Sequence, residues 1–182
     1  MKYAGFWRRL YACILDLLLI GIPAWLAFRF ALRSTEVVYA TWRIGGTSLL
    51  LAMNLYLLVR FGGTPGKLIS GIRVVQVDGS PLTWRNALAR ESVYIARAAC
   101  GIIMFLAYQS HVDHELVRTL PSDELAVYWR QVYPPWSYWL DNLYGVYAFS
   151  EVVVMLTNKK RRAIHDFLGG TVVVVRQRTA SV

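Results

Sequence analysis

The residues best able to do chemistry are ionisable ones placed where apolar residues belong. In "LYACILDLLLIG", Leu10 to Gly21, the run is almost wholly apolar except for Asp16. Arg9 precedes it by seven residues, which is two helical turns, so the pair shares one face about 10.5 Å apart along the axis. Two further apolar blocks carry the same anomaly: Arg97 lies within 92–109, and Glu151 within 136–157. A charge at membrane depth costs on the order of several kcal/mol unless it is paired. Such a group therefore either fixes helix packing or takes up a proton or cation. Chain topology puts Asp16, Arg97 and Glu151 on three helices at one depth near the inner interface. The arrangement expected is Asp16 held by Arg97, assisted by Arg9, with Glu151 as the second carboxylate near Arg97. This cluster reads as a structural charge clasp or as an ion/proton site.

Positioning these groups requires membrane-spanning elements. Hydrophobic residues make up 56% of the 182-residue chain and charged residues 17%, against about 25% charged in an average soluble protein. Four apolar blocks, 10–28, 44–61, 92–109 and 136–157, approach the roughly 20 residues needed to cross a bilayer. Pro23 and Gly21 suggest a kink in the first, and Trp25, Trp42, Trp136 and Trp139 fall near span ends, as an aromatic belt would. The net charge of +9 is carried mostly between apolar blocks, which excludes the interleaved basic pattern of a nucleic-acid binder. Lys2, Arg8 and Arg9, the basic residues of 62–91, and "NKKRR" put both termini and the middle linker in the cytosol. The loop 110–135 has two arginines against four acids and is expected outside. The linker holding Arg29, Arg33 and Arg43 runs against this rule without reversing it. The opening "MKYAGFWRRL" imitates a signal peptide, but Asp16 and the lack of a small-x-small site favour a retained helix.

The linkers have structure of their own. "GIRVVQVDGSPLTW" reads as a strand, an Asp-Gly turn and a short second strand. "TVVVV" near the end reads as another strand. The expected fold is an all-α membrane protein: a bundle of about four transmembrane helices with a small cytosolic β element, a hairpin plus the C-terminal strand. The whole chain, 1–182, forms one domain with cytosolic linker 62–91, outer loop 110–135 and cytosolic tail 158–182.

Other chemistries find little support. Cys13 and Cys100 both lie in apolar stretches, without CxxC or Cys/His metal spacing. "HVDHE" (residues 111–115) is a solvated loop rather than a metal site. "GGTPGKL" fails as a phosphate-binding loop, since three residues rather than four separate Gly62 from Gly66 and Leu68 stands where Mg²⁺ needs a hydroxyl. It reads as a turn ending the second helix, with Lys67 free to meet a lipid phosphate. Asn54 is expected to hydrogen-bond a neighbouring helix, and Asp141 to sit at the outer interface. Asp166 is expected to lock the tail under the bundle by pairing with Arg9 or Lys67. No catalytic triad is legible, because His165 lacks an assignable orienting partner. Neither an enzyme nor a cofactor or metal site is expected.

Four stretches in order, "AGFWRRLYACILD", "GGTPGKLISGIRVVQVDGSPLTW", "NALARE" and "IHDFLGGTVVV", resemble the RDD family of bacterial membrane proteins. The resemblance covers nearly the whole chain except 110–135. The arginine and two aspartates that name the family correspond to Arg9, Asp16 and Asp166. The resemblance implies an integral protein of the bacterial cytoplasmic membrane, and transport, including sodium/proton exchange, has been suggested for some members. Two functions follow as expectations: a small cation/proton transporter using intramembrane carboxylates, or a non-transporting interaction or assembly module. Expected partners are the lipid bilayer, with anionic headgroups and a second copy of the chain as candidates, and no nucleic acid.

Overall fold

A computed structural model describes residues 1–176. Three stretches are helical and apolar enough to cross a membrane: Phe6–Leu32, Glu36–Ile69 and Trp84–His111. Only 6–11% of their apolar windows is buried inside the protein, so these side chains need an apolar surrounding that the chain does not supply.

The first stretch is α1 (Phe6–Asp16), a π-helical turn (Leu17–Gly21) and α2 (Ile22–Leu32). Pro23 has no N–H to donate, and the widened turn just before it absorbs the interrupted hydrogen-bond ladder. The second begins with α3 (Glu36–Thr41), capped by Thr35, and passes through a π-helical turn (Trp42–Gly46) into α4 (Thr47–Phe61). Gly62 ends α4 in the left-handed region, φ 76°, where an L side chain would be strained. The five-residue α5 (Pro65–Ile69) follows, then strand β1 (Ile72–Gln76).

The β element differs from the expected hairpin. The Asp78–Gly79 turn is present, with Gln76 N–H donating to the Ser80 carbonyl at 2.9 Å, but no second strand follows it among the described residues. Pro81 cannot donate to a ladder, and Thr83 already caps the next helix by accepting from Asn86 N–H. The partner of β1 is β2 (Thr171–Val175), antiparallel, with Ile72 opposite Val175 and Gln76 opposite Thr171. The far edge of β2 is met by the N-terminal segment, where Ala4 N–H donates to Val173 and Val175 N–H to Lys2. The N-terminal segment, β2 and β1 thus lie side by side in one small sheet. Its inner face, Ile72, Val74 and Val173, packs with Ala12, Leu58 and Ala87.

Helix α6 (Trp84–Tyr108) starts eight residues before the span expected at 92–109. The loop 110–135 is not irregular: it holds α7 (His114–Thr119) and α8 (Ser122–Val132). Asp113 caps α7, and Arg33 donates to the carbonyls of Val117, Arg118 and Leu120 at its other end, where a cation is favoured. A second core forms there from Leu32, Tyr39, Phe105, Val117 and Leu125. The last helices are α9 (Trp136–Thr157), long enough at about 33 Å to span, and the short α10 (Ile164–Leu168).

Candidate functional site

Asp16 is the last residue of α1, and it faces α5 rather than α6. Its carboxylate accepts the Thr64 hydroxyl at 2.5 Å and the Gly66 N–H at 2.7 Å. Thr64 is the cap of α5 and Gly66 its second residue, so the charge sits where the helix presents unsatisfied N–H groups. Pro65 at the first position removes one of those donors at no cost. A side chain at 66 would overlap the Ala12 carbonyl and come within 2.8 Å of the Asp16 carboxyl carbon. "GGTPGKL" is therefore a receptacle for the chain's own carboxylate.

Asp166 is fully buried. One carboxylate oxygen accepts Arg9 Nη1 at 2.9 Å and Ala163 N–H at 3.0 Å. The other accepts Arg90 Nη1 and the Thr171 hydroxyl. Those four donors fill the acceptor capacity of an ionised carboxylate. Arg162 donates to the Asp166 carbonyl at 2.9 Å, and Arg9 Nη2 to the Arg161 carbonyl at 2.5 Å. Burial pushes the Asp166 carboxyl up, but Arg90, His165 and Arg9 outweigh it and hold the group well below the ordinary carboxylate range. The clasp joins α1, α6, α10 and the start of β2 at Thr171.

The remaining predicted residues separate. Arg97 does not meet Asp16 or Glu151. It pairs with Asp141 at 3.2 Å, with both side chains more than half exposed, and its guanidinium lies 4.5 Å from the Tyr144 ring centroid. The reason is the early start of α6: the residues at the clasp are Arg90 and Glu91, and Arg97 lies two turns, about 10.5 Å, farther along. Glu151 meets His165 instead, with Oε2 2.5 Å from Nδ1 and Oε1 accepting the His165 N–H at 3.0 Å. His165 thus has the orienting partner that its sequence neighbours did not reveal. Burial pushes its imidazole below the ordinary histidine value, reinforced by the Arg90 charge and opposed by Glu151. Lys67 forms no ion pair with Asp166; among the described residues its ammonium has no hydrogen-bond partner.

A family model described as RDD family matches residues 3–170. The chain belongs to the RDD family. No curated protein and no solved structure matches it. In this RDD chain the arginine and two aspartates singled out by the resemblance divide between two sites: Arg9 and Asp166 form the clasp, and Asp16, at the end of α1, binds the start of α5.

Above the clasp a cavity of about 1090 Å³ opens between α4, α6 and α9. Arg9, Lys67, Arg90, Glu91 and His165 line one end, and Arg43, Trp129 and Tyr133 the other. Asn54 donates to Glu91 Oε2 at 3.1 Å across α4 and α6, and Arg90 Nε lies 3.7 Å from Glu91 Oε1. Asp16 does not line the cavity of this RDD chain. Thr64, Gly66, Arg90, Glu91 and Thr171 are the site residues that sequence reasoning missed. The available signal was "NALARE", an Arg-Glu pair just inside a strong Thr83 cap, which marks the helix start and hence the depth of Arg90.

Proposed function

We propose that this RDD protein is a membrane-embedded binding and assembly module with four crossings, α9 being the fourth, in which the signature charges are structural. The observation that carries this reading is the complete satisfaction of Asp166 by Arg9, Arg90, Ala163 and Thr171. A carboxylate so held gives up neither its charge nor its place to a passing ion. Asp16, bound to Thr64 and Gly66 away from the cavity, supports the same reading. The lysine and arginine bias supports cytosolic termini and an orientation in the bacterial cytoplasmic membrane with the sheet inside. Exposed apolar residues such as Val146, Phe149 and Val153 on α9 face lipid or a second copy of the chain.

A second reading, a small cation/proton transporter, draws on Glu91, Lys67 and His165 lining the cavity, since titratable groups in a membrane cleft are what a proton or cation path uses. Purified protein in liposomes carrying a pH gradient separates the two. The binding-module reading expects no faster dissipation than in empty liposomes when Na⁺, K⁺ or Li⁺ is added. Cation-dependent dissipation that disappears in Glu91→Gln would replace it with the transporter.

A further inference from the structure

The cavity holds polar groups that the protein itself leaves unmet. Arg90 is 2% exposed, yet its Nε–H has no hydrogen-bond acceptor among the described residues, and neither has Asn54 Oδ1 a donor. Buried polar groups are rarely left this way in native structures. Lys67 adds an ammonium at the same end with no hydrogen-bond or ion-pair partner among the described residues. Five arginine or lysine side chains line the cavity against two carboxylates, Glu91 and Asp141. Asp166 already meets Arg9 and Arg90 from outside the lining, and Asp141 meets Arg97, so the lining cations left without an ion pair among the described residues are Lys67 at this end and Arg43 at the other. Its walls are apolar, with Leu50, Leu51, Ile102 and Leu143 among them. Its volume, about 1090 Å³, lies just above the roughly 300–1,000 Å³ of small-molecule pockets. A cationic floor beneath apolar walls of that size fits a molecule with a negative head and hydrocarbon tails.

Resting on the binding-module reading, we infer that the cleft between α4, α6 and α9 is a site for one anionic phospholipid, with its phosphate on Lys67 and the Arg90 Nε–H and its acyl chains along α6 and α9. Lys67 is the anchoring residue, because Arg9 and the Arg90 Nη1 group are already committed to Asp166. Glu91 beside Arg90 disfavours a second negative charge at that side, which selects a single phosphodiester over a multiply charged head. The lipid reaches the floor from within the bilayer rather than from the cytosolic surface, where Lys159 and Lys160 would bind headgroups without selecting them.

Native mass spectrometry of the full chain, released from detergent after exchange into phosphatidylglycerol or phosphatidylcholine, tests the assignment. Wild type is expected to retain one phosphatidylglycerol and no phosphatidylcholine. Lys67→Ala should lower retention about tenfold or more, the worth of one charge-assisted hydrogen bond. Lys67→Arg should keep it, and Lys159→Ala should leave it unchanged. Equal retention of both lipids by wild type overturns the site without relying on any variant, and so does undiminished retention in Lys67→Ala. Displacement of the lipid by millimolar inorganic phosphate overturns the lipid as ligand and leaves a phosphate site. A failure here leaves the liposome result standing on its own, since retention and ion flux are separate measurements.

Discussion

Asp16 and Asp166 are both carboxylates withdrawn from bulk water, and the protein meets them with different partners. Asp16 receives neutral donors, a hydroxyl and a backbone N–H at the start of α5. Asp166 receives two guanidinium groups as well as a backbone N–H and a hydroxyl. The difference follows from burial: Asp166 has no exposed surface, whereas Asp16 is half-buried. A fully enclosed anion needs counter-charge to offset its desolvation. A half-enclosed one is held by oriented dipoles and the remaining water. The Asp166 site is therefore expected to behave as a stability device that fails when one member is removed. The Asp16 site should behave as a local docking device that positions α5.

The largest effect is expected at Asp166. Asp166→Ala strands Arg90 in a site that is almost wholly buried, and breaking a buried ion pair from one side typically costs about 3–5 kcal/mol. The variant should be recovered in low yield, with a markedly lower melting temperature in detergent. Adding Arg90→Leu should restore part of the loss, because the more deeply buried of the two stranded guanidinium groups is then gone, while Arg9 remains. Acid should act in the same direction. The folded-state carboxyl is held below its unfolded value, so its contribution is complete above the unfolded value of about 3.9 and is lost as pH falls through the folded one. A melting temperature unchanged in Asp166→Ala would remove the contrast between the two sites.

The effect at Asp16 should be smaller and local. Asp16→Ala leaves the Thr64 hydroxyl and Gly66 N–H without their acceptor, about 1–3 kcal/mol. Asp16→Asn keeps an acceptor oxygen but loses the charge at the start of α5, about 1 kcal/mol. Gly66→Ala should resemble Asp16→Ala, since a methyl group there meets the Ala12 backbone, which cannot rotate away, at about 1–3 kcal/mol. The direct readout is tryptic cleavage at Lys67 in inside-out vesicles, faster in all three variants than in wild type. Equal cleavage rates would show that Asp16 does not dock α5.

How far these sites could be read from the chain depended on the range of the signal. Asp16, Arg9 and Asp166 stood out because a charge in or beside an apolar run is locally anomalous. The three apolar helices were legible from length and composition for the same reason. Partner choice was not legible, because it depends on where each helix starts. Thr83 is a good cap and Pro81 a strand breaker, and together they set the start of α6 at Trp84 and put Arg90 at the clasp. A hairpin reading of residues 71–84 conceals both signals. The pairing of β1 with β2 joins residues about a hundred positions apart, which no local pattern specifies. In the sequence, Thr64 and Gly66 belong to a helix-ending turn, which the Gly62 geometry matches. Their second role depends on α1 passing within contact of α5.

The smallest expected effect concerns Arg97, the partner that depth alone assigned to Asp16. Its observed pair with Asp141 is exposed on both sides and lines the cavity, and ion pairs open to water, as in a water-filled cleft, are worth about 0–1 kcal/mol. Stacking on Tyr144 adds at most a similar amount at an exposed site, about 0.5–1 kcal/mol. Arg97→Gln should therefore shift the melting temperature slightly. A double-mutant cycle with Asp16→Asn asks whether the two residues share an environment. Sites without common partners add to within about 0.3–0.5 kcal/mol, and Asp16 and Arg97 share none: one is bound to α5, the other to α9. Additive losses are the expected result. A coupling above about 1 kcal/mol would mean that Arg97 reaches the α1–α5 contact after all, and the two aspartates would then both depend on arginine.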